Sequence, residues 1–286
     1  MYETTYNTWN RKIIKSNAKL ALRGRYGPCF AASLIAVLLS GSVLAYIAMQ
    51  LNLRVQLEMT YWIDRLSSYS SDYGLYFDYG AGDMWGDYYL RALFQQLEAL
   101  WTVAMVLMVF TVAVSIFVGG PLRVGEARFY VHHRFGDTHV STVLSGFRQR
   151  YLSTVGARFT TNLFIGLWSL LFVIPGIVAA YRYYYVDFLL ADNPGLTGSR
   201  AREISKEMTK GEKGSLFLLD LSFLGWGILA AFVNAFTLGI LGLALLKPYM
   251  MAARADVYVY ARDRAIAQGW LRPEELALVP PQPPVL

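Results

Sequence analysis

Apolar residues in this chain fall into long runs separated by polar, mostly basic segments. The first run, Cys29–Leu51, carries no charge. It is as long as the roughly 20 apolar residues a helix needs to cross a bilayer core. Leu100–Val118 is a second run, closed by Gly119, Gly120 and Pro121. A longer stretch, Phe159–Leu190, is interrupted at Ile174-Pro175-Gly176. Ser215–Val233 and Phe236–Tyr258 follow, joined by a tight Asn234-Ala235 turn. The pattern predicts an all-α fold, a polytopic transmembrane helical bundle.

The interrupted stretch is compatible with one kinked span or with a two-span hairpin, because Pro and Gly serve either. Charge favours the hairpin. The segment beyond it carries Arg200, Arg202, Lys206, Lys210 and Lys213. Lys and Arg collect in cytoplasmic loops, and only a hairpin brings the chain back to that side. The expected spans are about 159–174 and 177–192, with Pro175-Gly176 near the outer face. The sum is about six spans arranged as helical hairpins, both termini cytoplasmic. Residues 1–26 form an inner amphipathic helix, 27–261 the bundle and 262–286 a cytoplasmic tail that ends in an extended Pro-Pro-Gln-Pro-Pro.

The polar segments support this orientation. Trp9–Arg25 sets Trp9, Ile13 and Leu20 at helical spacing among Lys12, Lys15, Lys19 and Arg23. That is the composition of an amphipathic helix lying on an anionic membrane face. Thr197–Lys213 reads as a second surface helix, capped by Thr197 or Ser199. The outer loop, 52–98, is rich in Tyr, Asp and Gly and has no lysine. Its Arg54, Arg65 and Arg91 face Asp64, Asp72, Asp78, Asp83 and Asp87. Every lysine except Lys247 lies in a segment assigned to the inner side.

Composition agrees: charged residues are 16% of the chain, against roughly 25% in soluble domains. The net charge of +6 follows from the cytoplasmic bias, and no basic groove with stacking aromatics suggests nucleic acid. Cys29 is the sole cysteine, which excludes an intrachain disulfide and suits packing as a small hydrophobe. The basic first twenty-six residues do not read as a cleavable leader. A loose repeat also runs along the chain: Pro121, Gly125, Arg128, Tyr130; then Pro175, Ala179, Arg182, Tyr184; then Pro248, Ala252, Arg254, Tyr258. It suggests three helix-hairpin units; chance in a chain rich in Ala, Arg and Tyr is the alternative.

Catalytic patterns are sparse. His132, His133 and His139 lack any HExxH or Cys partner and read as surface residues, so no metal or cofactor is expected. There is no GxSxG, and the paired glycines at 225, 227, 239 and 242 sit inside apolar runs, where they favour close helix packing. The charges within the spans carry more weight: Arg182, Asp187, Asp220, Lys247, Arg254 and Asp256. A charge in hydrocarbon costs a few kcal/mol and faces a partner or water. Asp220 and Arg254 lie at similar depth with Lys247 deeper, so Asp220 is expected to pair with one of the two. Arg182 and Asp187 are poorly phased for each other, so one looks to another helix. These charges serve as interhelical clamps or line a polar cavity for an ion or anionic ligand. Pro175, Gly176 and Pro248 are helix breaks, a turn and a kink in preference to a broken-helix binding site.

The second half has further recognisable text: Leu167–Gly176 (LWSLLFVIPG), Leu190–Pro194 (LADNP), Leu219–Trp226 (LDLSFLGW) and Lys247–Met250 (KPYM). In this order the phrases resemble a bacterial family of uncharacterised integral membrane proteins, the domain of unknown function numbered 975. The basic helix before the first span fits it as well, whereas the long Tyr-rich outer loop departs from it. More remotely the pattern is similar to membrane domains that accompany some glycerophosphodiester phosphodiesterases. The resemblance implies a bacterial plasma-membrane protein and supplies no reaction. The leading expectation is therefore a non-catalytic accessory or scaffold protein that engages anionic inner-leaflet lipids or a membrane-protein partner. A small transporter or channel subunit using the intramembrane charges is the alternative. A lipid-modifying enzyme would need clustered acid–base or metal residues that the sequence lacks.

Overall fold

The computed structural model describes residues 9–72, 84–136, 138–148, 150–237 and 241–276. Among the described residues every regular element is helical. The chain opens with α1 (Arg11–Leu22), α2 (Tyr26–Leu39), α3 (Ser42–Asp72) and α4 (Met84–Val114). A π turn, Ser115–Gly119, leads into α5 (Gly120–Phe135), and a 3-10 turn, Val140–Leu144, into α6 (Ser145–Arg148). Next come α7 (Tyr151–Leu171), α8 (Val173–Arg182), α9 (Val186–Asp192) and α10 (Gly198–Met208). The series ends with α11 (Lys213–Leu221), α12 (Leu224–Phe236), α13 (Leu241–Ala267) and a 3-10 turn at Pro273–Glu275.

The chain divides into two compact units, Ser42–Ala113 and the remainder. The smaller contains α3 and nearly all of α4. Its apolar side chains stay largely outside, as at Val106 and Val109. The expected outer loop is largely helical here, because α3 runs on to Asp72 and α4 begins at Met84. Residues 73–83, with Asp78 and Asp83, lie outside the described residues.

The larger unit has a base and apolar arms. The base is made of α1, α5, α9, α10 and the second half of α13. Its core holds Phe129, Tyr130, Tyr185, Ile204, Met208 and Tyr258, all nearly or fully buried. Asn10 caps α1 by accepting a hydrogen bond from the Lys12 amide at 2.9 Å, and Gly24 turns the chain out of it at φ +76°. The buried stripe of α1 is Ile14, Ala18 and Leu22, while Ile13 and Leu20 face outward among the basic residues. Pro121, near the start of α5, has no amide hydrogen to give the preceding turn, and the Phe117 carbonyl there accepts from Tyr151 at 2.9 Å. A Cβ on Gly125 would strike the Val143 carbonyl, and one on Gly146 the Pro121 carbonyl, so these glycines let α5 lie against the following turn and α6.

The arms present apolar side chains outward. At the end of the α7–α8 arm, Leu170 is 84% exposed and Val173 and Ile174 74%. Contiguous exposed apolar surface of this kind marks an interaction surface, membrane included. The chain reverses between α7 and α8 at Phe172, which is extended (φ −161°, ψ 154°), and not at Pro175-Gly176. Pro175 lies in the first turn of α8, and Gly176 lets that helix rest on Ser169. The returning arm is also broken. α8 has 10 residues, a rise of only ~15 Å, and α9 is buried beyond the turn at Tyr183–Tyr185.

Two further expected spans are interrupted. Cys29–Leu51 divides at Ser40-Gly41, and Ser215–Val233 divides at Ser222-Phe223. α12 continues through Asn234 to Phe236, so no turn falls at Asn234-Ala235. By length and composition, one continuous helical run among the described residues, Leu97–Phe135, is long and apolar enough to cross a membrane. The count rises to three if Tyr26–Leu39 with Ser42–Trp62, and Lys213–Leu221 with Leu224–Asn234, each form one broken span. The beginning of the presumed tail is ordered into the base: α13 extends to Ala267, and Leu271 and Leu276 are buried.

Candidate functional site

Ion pairs stitch the arms to one another and to the base. Asp220 on α11 meets Arg254 on α13, with Nη2 at 3.0 Å and Nε at 3.3 Å from Oδ1. Tyr181 and Tyr184 donate to the same carboxylate at 3.2 and 3.4 Å. The two rings stack, and the Arg254 guanidinium lies 5.5 Å from the Tyr184 ring centre. One carboxylate thus ties three segments of chain together. Lys247 takes a different acid, Glu126 on α5, at 2.8 Å. Asp187 on α9 pairs with Arg158 on α7 at 2.9 Å. Arg182 is separate from both pairs; its carbonyl accepts from Ser205 at 3.0 Å, and its buried Nε has no hydrogen-bond partner among the described residues.

Pro248 lies inside α13 and has no amide hydrogen to give Ala244. Tyr26 donates to the neighbouring Leu245 carbonyl at 2.7 Å. The helix thus runs on through Pro248, and the turn before the proline is tied to the start of α2.

The base continues the lattice. Asp192 accepts from Tyr258 at 2.7 Å and Arg262 at 3.2 Å. Asp256 meets Arg134 at 2.6 Å and Asn17 at 3.1 Å. Glu212 pairs with Arg264 and accepts from Trp9 at 3.0 Å. Glu275 pairs with Arg200 at 2.8 Å, and that hydrogen bond holds its carboxyl below the ordinary glutamate value. Lys15 reaches the Ser222 carbonyl at 3.1 Å and lies over the Phe223 ring at 4.7 Å. Burial, then Lys19 and Arg11, push its ammonium below the usual lysine value. A cation at the end of a helix faces the negative end of its dipole, so Lys15 fixes the α11–α12 break.

The sequence leaves Asp220 to pair with Arg254 or Lys247, and the partner is Arg254; of Arg182 and Asp187, one of which was expected to look to another helix, Asp187 does so. Sequence reasoning missed Glu126, Arg158 and Asp192 as partners. It also placed all three histidines at the surface, whereas His133 is buried and stacks on Phe129 at 5.5 Å. Among the described residues no group of three His, Cys, Asp or Glu is arranged to hold a metal.

These features define a class: an all-α protein with at least one candidate membrane span, whose apolar arms stand on an ion-paired base. Residues 159–265 match the family described as "Protein of unknown function (DUF975)". The matched stretch contains α8 to α12, most of α7 and nearly all of α13, and with them Asp187, Asp220 and Arg254. The basic helix α1 lies outside it. No curated protein and no solved structure matches the chain.

Proposed function

We propose that this is a non-catalytic, multi-pass protein of the bacterial plasma membrane, with six spans and both termini cytoplasmic. It acts as an accessory or scaffold protein that holds anionic inner-leaflet lipid or a membrane-protein partner. The observation that carries the reading is the division of charge. Glu126, Asp192, Asp220 and Asp256 are engaged by cations of the same chain, while Arg11, Lys12 and Lys19 of α1 and Arg23 at its end form no salt bridge among the described residues. The exposed apolar arms supply the surface that hydrocarbon would cover, and α1 supplies cations at the level of the headgroups.

A reporter fused after Lys213 tests the topology. Cytoplasmic activity agrees with the reading; activity on the outer side refutes the α7–α8 return and the orientation with it. The second reading, a small transporter or channel subunit, draws on one observation, the buried Nε of Arg182 without a partner among the described residues. An anion passing Arg182 and Asp220 would supply one.

A further inference from the structure

A cleft of about 760 Å³ opens under α1, between α12 and α13. Ligand sites run from ~300 to ~1,000 Å³, so the space is large enough for a bound molecule. Three helices line it, each with one face at helical spacing. α12 contributes Trp226, Leu229, Ala230 and Val233, and α13 contributes Gly242, Leu245, Leu246 and Tyr249. α1 covers them with Ser16, Lys19, Leu20 and Arg23. Within the lining α12 and α13 touch, since a Cβ on Gly242 would strike the Ala230 carbonyl. Tyr26, also in the lining, is bonded to Leu245. Lys15, anchored at Ser222 and Phe223, holds the covering helix in place.

The cleft is chemically two-sided. Its walls on α12 and α13 are apolar, and its rim carries two cations, Lys19 on α1 and Arg23 in the extended residue that ends it. Among the described residues no acidic side chain lines it. Trp226, Leu229 and Leu245 remain about half exposed, so the opening faces whatever medium covers the arms. An apolar slot with a cationic rim is complementary to a molecule with an apolar chain and an anionic head.

We propose that this cleft binds one anionic phospholipid, its phosphate on Lys19 and Arg23 and an acyl chain along α12 and α13. The proposal rests on the membrane reading above and gives its lipid a site. The full chain, purified in zwitterionic nanodiscs, is titrated with phosphatidylglycerol or with phosphatidylcholine of identical acyl chains and weighed by native mass spectrometry. One phosphatidylglycerol is expected to bind in preference to phosphatidylcholine. The variant Lys19→Gln/Arg23→Gln loses about tenfold or more of that preference, the scale of two basic contacts to an anionic headgroup. Lys19→Arg/Arg23→Lys retains it. Val233→Trp, which fills the slot and leaves both charges, lowers occupancy by either lipid. Arg11→Gln/Lys12→Gln removes the same charge from α1 outside the lining and leaves binding unchanged.

Equal binding of the two lipids by the unaltered chain overturns the proposal. So does an equal loss in the Arg11/Lys12 variant, which would make the attraction a property of the whole helix. Alkaline extraction of native membranes separates this failure from that of the underlying reading. A chain that stays in the membrane but shows no lipid preference loses only the cleft, whereas a chain that washes off loses the membrane assignment itself.

Discussion

Replacing Asp220 by Asn keeps the shape of the side chain and removes its charge. Arg254 then faces an amide in place of a carboxylate, and two charge-assisted bonds of 3.0 and 3.3 Å weaken together. Exposed pairs contribute about 0–1 kcal/mol, and breaking a fully buried one costs about 3–5 kcal/mol. The Asp220 side chain is 19% exposed and that of Arg254 30%, so the loss falls between these limits, at about 2–3 kcal/mol. At ~2–4 °C per kcal/mol the midpoint should fall by roughly 5–10 °C. The lone cysteine offers an assay: Cys29 is fully buried, so a thiol-reactive dye reports unfolding in mild detergent without further labelling. The partner substitution Arg254→Gln completes a double-mutant cycle. If the pair is a clamp, the double variant melts near the weaker single variant, with a coupling of about 1–2 kcal/mol. A midpoint within ~1 °C of the unaltered protein, or additive losses, would refute the clamp. Unchanged melting together with lost activity in the cell would point to transport.

The Glu275–Arg200 pair gives a pH-dependent expectation. Its carboxyl titrates lower in the folded chain than unfolded, so it contributes stability above the unfolded value of ~4.3 and loses it as pH falls through the lower folded value. The stability gap between the unaltered protein and Glu275→Gln, followed by dye-detected unfolding, should be constant above about pH 6 and vanish in acid; a gap that widens in acid contradicts the assignment. Gly125→Ala should cost about 1–3 kcal/mol by overpacking, since its methyl meets the Val143 carbonyl. Gly156→Ala, on α7 with open space around it, should be neutral or gain up to ~1 kcal/mol; similar melting of the two variants would contradict the packing of α5.

Much of the helical content was legible, because long uncharged runs leave few alternatives to helix. That Asp220 would pair with Arg254 or Lys247 was legible for a related reason, since a charge in an apolar run has few other partners; which of the two was not. The breaks were harder to read. Ser222-Phe223 contains neither Pro nor Gly, and its break is secured by Lys15, more than 200 residues away. Phe172 also lacks a turn residue, and Pro175 drew attention three positions too far because proline suits the first turn of a helix as well as a loop. Glu126 escaped notice since it follows Pro121 in a segment read as a basic loop, where an acid looks solvated. Its Lys247 partner is distant in sequence, and nothing local announces such a contact.

The three segments that carry the loose proline pattern each contain a fully buried tyrosine: Tyr130 on α5, Tyr185 just before α9 and Tyr258 on α13. The sequence spacing had selected Tyr184 for the second segment. Tyr184 turns instead toward Asp220, and its neighbour enters the core. Tyr185 then packs against Tyr258 with ring centres 5.9 Å apart, so two of these segments meet directly. Tyr258 bonds Asp192 on α9, and Tyr130 bonds Ser33 and the Cys29 carbonyl on α2. The hydroxyls of Tyr130 and Tyr258 therefore link their segments to a neighbouring element, whereas Tyr185 contributes its ring alone. The arms are held separately, through the Asp220 carboxylate that gathers Arg254, Tyr181 and Tyr184.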